Sequence, residues 1–196
     1  MKFQDFLTKY NGMNGVGNTT ENKGQCTGLV NVWVQSLNLP HLWGDGKDIF
    51  SLADERFYDK ILNTPDAIPQ MGDVICWSAD YNKGAGHTAI ATGTADISKF
   101  ECFTQNDPLG SNCHLKMYDN NYFAVIGWLR PKPTQNDALD ACLTQHSQLV
   151  EKLNAIDSFR QALNKSLNTG DKSWQEILDE VNKLINDLDN TMTQAH

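Results

Sequence analysis

The stretch Asn22-Lys23-Gly24-Gln25-Cys26-Thr27-Gly28-Leu29-Val30 places a cysteine where a polar, glycine-containing loop turns into an apolar helix. Cys26, Val30, Trp33 and Leu37 fall on one helical face, with Leu29 and Val34 beside it, so the spacing predicts a buried helix over about residues 24–37. At a helix N-terminus, unpaired backbone N–H groups and the macrodipole favour the thiolate, which predicts a lowered pKa for Cys26. A thiol in that position reads as a nucleophile.

Upstream, Phe3, Phe6, Leu7 and Tyr10 recur at helical spacing, and the Gly and Asn cluster at 11–18 ends that short helix. Downstream, residues 48–62 read as helix in one or two pieces, closed off by Pro65 and Pro69. Gly72-Asp73 then turns the chain into the apolar strand Val74-Ile75-Cys76-Trp77. Strand-like runs at 88–92, 99–104, 113–118 and 125–129 predict an antiparallel meander. The prolines of Arg130-Pro131-Lys132-Pro133-Thr134 bar both helix and central strand, which places a domain boundary after residue 132.

Beyond it, Leu139, Cys142, His146, Leu149, Leu153, Ile156, Leu163 and Leu167 follow three-four spacing, with Arg160 interrupting the stripe. Gly170-Asp171 breaks this helix, and Ser173 with Glu176 suggests a capping box for a second one carrying Trp174, Ile177, Leu178, Val181, Leu184, Ile185 and Leu188. The expectation is an α+β domain over residues 1–132, with N-terminal helices and an antiparallel sheet, followed by a helical hairpin over 133–196. The hairpin's apolar stripe suits oligomerisation with a second copy, docking on the first domain or wall binding.

A length of 196 residues fits one enzyme-sized domain with an appendage. The net charge of −8, with no basic stripe, argues against nucleic acid as a partner. From position 137 onward the chain has ten acidic and five basic residues, so its charge does not draw that region to anionic wall polymers. No window approaches the ~18 apolar residues of a membrane span, and the N-terminus lacks the uninterrupted apolar run of a secretory signal, which predicts synthesis in the cytoplasm without a signal peptide. Five cysteines without a CxxC pair make neither a disulfide framework nor a zinc pattern. Cys76, Cys102, Cys113 and Cys142 read as small hydrophobes, with Cys102 and Cys113 the one pair that a hairpin could bring together.

A catalytic thiol needs a base and a third group that fixes the base's tautomer. His87, which starts a strand after Gly84-Ala85-Gly86, is the best placed base, because small residues there leave room for a substrate. His41 adjoins Pro40, His114 is mid-strand, and His146 and His196 lie in the tail. Strand alternation puts Thr104 and Asn106 on one face and turns Gln105 away, so Asn106 is the first choice of orienter and Asp107 the competing one. The backbone N–H of Cys26, with the Gln25 amide, would meet an oxyanion. Thr104 and Asp107 join Gln25 as further candidates for oxyanion or substrate contact.

Gly24-Gln25-Cys26, Pro69-Gln70-Met71-Gly72-Asp73-Val74-Ile75, Gly86-His87-Thr88-Ala89-Ile90, Gln105-Asn106 and Gly127-Trp128-Leu129-Arg130-Pro131, in this order, resemble the CHAP family of cysteine- and histidine-dependent amidohydrolases and peptidases. The resemblance covers about residues 1–132. It implies a papain-like fold and cleavage of bacterial peptidoglycan, at the N-acetylmuramoyl-L-alanine bond or within stem or cross-bridge peptides, with Cys26 as nucleophile, His87 as base and Asn106 as orienter. Many relatives carry a Glu two residues before that Asn, where this chain has Thr104. Some bind calcium through an Asp-rich loop before the nucleophile, where this chain reads Asn18-Thr19-Thr20-Glu21-Asn22. One carboxylate there predicts no tight calcium site, no metal and no cofactor. The resemblance implies a phage endolysin acting on the cell wall after release. It leaves open a virion-associated lysin attached to a phage tail component, a bacterial toxin or autolysin with an export route, or an inactive wall-binding or structural module.

Overall fold

The structure, a computed structural model, describes residues 1–120, 124–133, 135–170 and 173–193. Thr134, Asp171 and His196 lie outside the described residues, as do the side chains of Leu167, Leu184, Ile185 and Leu188. The chain divides into two compact units, Met1–Asn136 and Asp137–His196.

The first unit opens with helices α1 (Phe3–Tyr10), α2 (Cys26–Ser36) and α3 (Ile49–Leu52). Strands β1 (Tyr58–Leu62), β2 (Val74–Trp77), β3 (His87–Ala95), β4 (Lys99–Thr104), β5 (His114–Asp119) and β6 (Val125–Pro131) form one sheet in the order β1-β6-β2-β3-β4-β5. Every pairing is antiparallel. Only β2 to β5 form the simple meander that the sequence suggests. β6 crosses back to the other side of β2, and β1 then pairs with β6.

Residues 58–62 are therefore strand, where local pattern suggests helix. The free edge of β6 supplies the reason, since it offers unpaired N–H and C=O groups to the segment. Tyr58 takes Pro131 as partner and Leu62 takes Gly127, while the buried Tyr58 donates its hydroxyl to Pro40 O at 3.0 Å. Pro131 is the last residue of β6, where its missing N–H costs least. The register of β4 with β5 sets Cys102 opposite Lys116, so Cys102 and Cys113 do not face each other, and both are free thiols.

Alternation along the strands divides the core between the two faces. Val74, Cys76, Ile90, Phe103 and Leu129 pack with Phe3, Phe6, Leu29, Val30 and Trp33 of α1 and α2. Ile75, Trp77, Ala89, Phe100, Tyr118 and Trp128 form a second cluster. Phe6 meets Trp33 edge-on at 5.1 Å and Phe103 at 6.2 Å, contacts worth about 0.5–1.5 kcal/mol each beyond burial. Trp33 also donates its indole N–H to Gly72 O at 3.0 Å, which ties α2 to the turn before β2.

That turn is fixed by Asp73, whose buried carboxylate accepts Arg130 Nε at 3.0 Å, Arg130 Nη2 at 2.8 Å and the Gln70 N–H at 2.8 Å. Such bidentate pairing is geometrically demanding. Asp73→Ala leaves a guanidinium without its partner, and because Arg130 keeps some access to water the loss is about 2–3 kcal/mol, below that of a fully buried pair. Urea unfolding of the variant measures it.

The second unit contains helices α4 (Gln135–Thr169) and α5 (Trp174–Thr193). Gly170, at φ 68°, ends α4, and the capping box forms, with Ser173 N–H donating to Glu176 Oε2 at 2.7 Å and the Glu176 N–H to Ser173 Oγ at 3.3 Å. Leu139, Leu149, Leu153 and Ile156 of the α4 stripe are exposed, as are Cys142 and His146. No helix among the described residues is long and apolar enough to cross a membrane.

Candidate active site

Cys26 is the first residue of α2, preceded by Gln25 in extended conformation as N-cap. It lines a cleft of about 540 Å³ whose other walls include Gln25, Thr27, Gly46, Gly86, Asn106 and Leu109. The Thr88 N–H, at the start of β3, is near enough to favour the thiolate of Cys26. Burial of the thiol pushes its pKa above the ordinary value, and the backbone N–H groups of Thr88, Thr27 and Cys26 itself pull only partly against that. The charge of Asp45 adds to the upward push. The helix N-terminus alone predicts the opposite sign; here desolvation outweighs it, so the resting thiol keeps its proton.

His87 is fully buried, in ring contact with Trp77 at 5.2 Å and Tyr81 at 5.7 Å. Burial pushes its pKa down to about 4, partly opposed by Asp107 and reinforced by Lys116. Its Nε2 lies 2.9 Å from Thr104 Oγ1, and its Nδ1 is buried without a partner. No hydrogen bond joins the ring to the Cys26 thiol or to Asn106 among the described residues. At rest the two groups are a neutral thiol and a neutral imidazole on adjoining segments.

Asn106 is placed differently from the alternation argument. β4 ends at Thr104, and Asn106 has φ 64°, so the strand's period stops before it reaches this residue. Its amide donates to Gln25 Oε1 at 2.9 Å and its carbonyl accepts the Gly110 N–H at 2.7 Å. Asn106 thus orients Gln25, and Thr104 is the residue that meets His87. Asp107 Oδ2 lies 3.9 Å from His87 Nε2. The remaining histidines lie elsewhere: His41 bonds Asn18 Nδ2 at 3.2 Å and His114 pairs with Asn112 O at 2.8 Å.

Two residues to which the sequence analysis gives no role hold the site. Gln105 is buried and its side chain accepts the Val16 N–H at 2.8 Å while donating to Val16 O at 2.9 Å and Gln25 O at 2.8 Å. The loop before Cys26 is thereby clamped to the end of β4. Asn31 clamps the next loop to α2, accepting the Leu42 N–H at 2.7 Å and donating to Leu42 O at 3.0 Å. For Asn31 the signal was an amide set inside the apolar run Leu29-Val30-Asn31-Val32-Trp33; for Gln105 no local pattern marks it.

The glycines of the site serve close approach as well as access. A Cβ on Gly86, already at φ 68°, would lie 2.5 Å from Lys47 N and Trp77 O. At Gly28 a Cβ would collide with Asn22 O and come within 2.7 Å of Val16 O. Helix propensity alone favours Gly28→Ala by about 1 kcal/mol. Both obstacles are backbone, so overpacking wins and the variant loses about 1–3 kcal/mol, read by thermal and urea unfolding.

The family model of the CHAP domain matches residues 15–106. Among solved structures the chain is similar to a wild-type endolysin, LysIME-EF1, at 22% identity and TM-score 0.54, covering 69% of this chain and 66% of that one. It is also similar to Ly7917 with the hydrolysing product of MDP, at 16% identity and TM-score 0.48, covering 67% and 63%. A third is an N-acetylmuramoyl-L-alanine amidase from Staphylococcus aureus, at 14% identity and TM-score 0.45, covering 65% and 37%. The chain therefore spans 66% of the length of the LysIME-EF1 endolysin, and the likeness to that structure is one of fold. No curated protein matches the sequence.

Proposed function

We propose, from the premise that residues 15–106 form a CHAP domain, that this protein is a peptidoglycan hydrolase of the endolysin kind. It cleaves an amide in the stem or cross-bridge peptides, or the N-acetylmuramoyl-L-alanine bond, and acts on the wall after release from the cell that makes it. The observation that carries this reading is the position of Cys26, at the N-terminus of α2, in a cleft and against the backbone that begins with His87.

In the first step the sulfur of Cys26 attacks the amide carbonyl while its proton passes to Nδ1 of His87, the ring nitrogen without a partner. Hydrogen bonds of this kind are often long before substrate binds and tighten in the complex. The oxyanion receives the Cys26 N–H and Nε2 of Gln25, whose amide is turned by the bond from Asn106 to its oxygen. His87 then gives its proton to the leaving amine, and water cleaves the thioester with His87 again taking a proton.

The loop before the nucleophile does not suit a calcium ion. Asn22 Oδ1 accepts the N–H groups of Asn18 and Thr19 at 3.1 and 3.0 Å, and Asn18 Oδ1 accepts Asn22 Nδ2 at 2.6 Å. Glu21 is the one carboxylate offered there, too few for a hard cation. The reading therefore routes no step through a metal.

The test is incubation of the protein and of Cys26→Ala with peptidoglycan from several Gram-positive species, followed by mass spectrometry of the released fragments and their new termini. Fragments that appear with the wild type alone support the thiol hydrolase and name the bond. Identical, empty chromatograms on every wall would overturn it.

A further inference from the structure

The Nε2 edge of the His87 ring faces a series of hydroxyls that ends on a carboxylate. Nε2 is 2.9 Å from Thr104 Oγ1, Thr104 Oγ1 is 3.2 Å from the Tyr118 hydroxyl, and Tyr118 donates to Asp107 Oδ2 at 2.7 Å. The Tyr118 hydroxyl also lies 3.3 Å from Nε2 itself. The same carboxylate oxygen accepts Tyr81 and Lys116, each at 2.9 Å. The titratable groups around the ring are thus Tyr81 before β3, Asp107 after β4, and Lys116 and Tyr118 on β5, with Cys26 of α2 against the neighbouring Thr88 N–H.

Counting protons gives these bonds a direction. An ionised carboxylate only accepts, so the single Tyr118 proton goes to Asp107 at 2.7 Å rather than to Thr104 at 3.2 Å, and the Tyr118 oxygen is left to accept from the Thr104 hydroxyl. The Thr104 oxygen then accepts from Nε2–H of His87. We infer that Thr104, Tyr118 and Asp107 are positioning residues, which fix the Nε2–H tautomer of His87 and supply, through two hydroxyls, the negative charge that stabilises its imidazolium. The bare lone pair of Nδ1 is then the one ready to receive a proton.

The charges needed for this are present. Burial works against ionisation of Asp107, yet the bonds from Lys116, Tyr118 and Tyr81 outweigh it and hold the carboxyl below its ordinary value. Burial pushes Tyr118 and Tyr81 upward, so both remain protonated donors. Asp107 raises the His87 pKa and Lys116 lowers it. The two residues therefore have opposite, separable effects on the ring.

The catalytic half of this inference rests on the hydrolase reading; the tautomer does not. The experiment combines histidine ¹⁵N NMR with pH profiles of kcat/KM for the wild type, Asp107→Asn, Tyr118→Phe and Lys116→Met. His87 of the wild type shows a protonated Nε2 and a bare Nδ1. Asp107→Asn lowers the plateau by about 10- to 100-fold and moves the acid limb to lower pH, because the ring has lost its anion. Lys116→Met moves that limb to higher pH. A purely structural role would depress the plateau and leave the limb in place. Thr104→Ser, which keeps the hydroxyl, recovers what Thr104→Val loses. The inference is overturned by an Nδ1–H tautomer in the wild type, or by a ring pKa indifferent to both charge variants. If no wall is cut, the hydrolase reading fails alone, and the NMR titration still decides on the three positioning residues.

Discussion

Cys26→Ala and His87→Ala each lower kcat/KM for wall cleavage by about 10⁴- to 10⁶-fold, and the double variant is no worse than either single one. The reason lies in the resting protonation states. Burial keeps the Cys26 thiol protonated and holds His87 neutral. Neither residue has a charge to contribute alone, and on the proposed mechanism the thiolate and the imidazolium form together as one proton crosses between them. Removing the sulfur leaves a base with nothing to activate, and removing the ring leaves a thiol whose proton has nowhere to go. Steady-state release of new amino termini from purified walls measures the loss. Additive losses in the double variant would mean that the two side chains act in separate steps.

The buried His87 also makes stability fall with acidity. Its pKa is about 4 in the folded chain against 6.5 when exposed, so between those values the unfolded chain binds a proton that the native one refuses. The contribution of the neutral ring is complete above pH 6.5 and is lost as pH falls toward 4, by about 3 kcal/mol in all. Below pH 4 the native ring protonates as well, and this slope ends. Urea unfolding at intervals from pH 7 to pH 4 for the wild type and His87→Gln isolates the residue, because the other titrating groups are common to both. The difference between the two curves narrows or reverses by that amount across the window. A constant difference would show that the ring is solvated in solution.

Local periodicities made the positions of Cys26 and His87 legible. The three-four spacing from Cys26 to Leu37 sets one face of α2, and the small residues before His87 mark the entry to β3. Both signals lie within a dozen residues. The pairing of residues 58–62 with β6 was not legible, because its partner Val125–Pro131 is far along the chain and nothing local names it. The placement of Asn106 was not legible for a related reason: alternation holds only while a strand continues, and β4 stops two residues earlier. Tyr118 meets His87 across 31 residues of sequence and depends on the register in which β5 follows β4, which places it opposite Phe100. Thr104 looked like the absence of an expected carboxylate, and in the structure that charge sits three residues on, at Asp107.

Gln105 has a consequence for the order in which the chain is made. Cys26, His87 and the segment between them all precede residue 105, yet the loop before Cys26 is held at Val16 and at Gln25 by the Gln105 side chain. Tyr118 and Asp107 come later still. A polypeptide that ends before Gln105 therefore carries Cys26 and His87 without the three hydrogen bonds that hold the loop before Cys26.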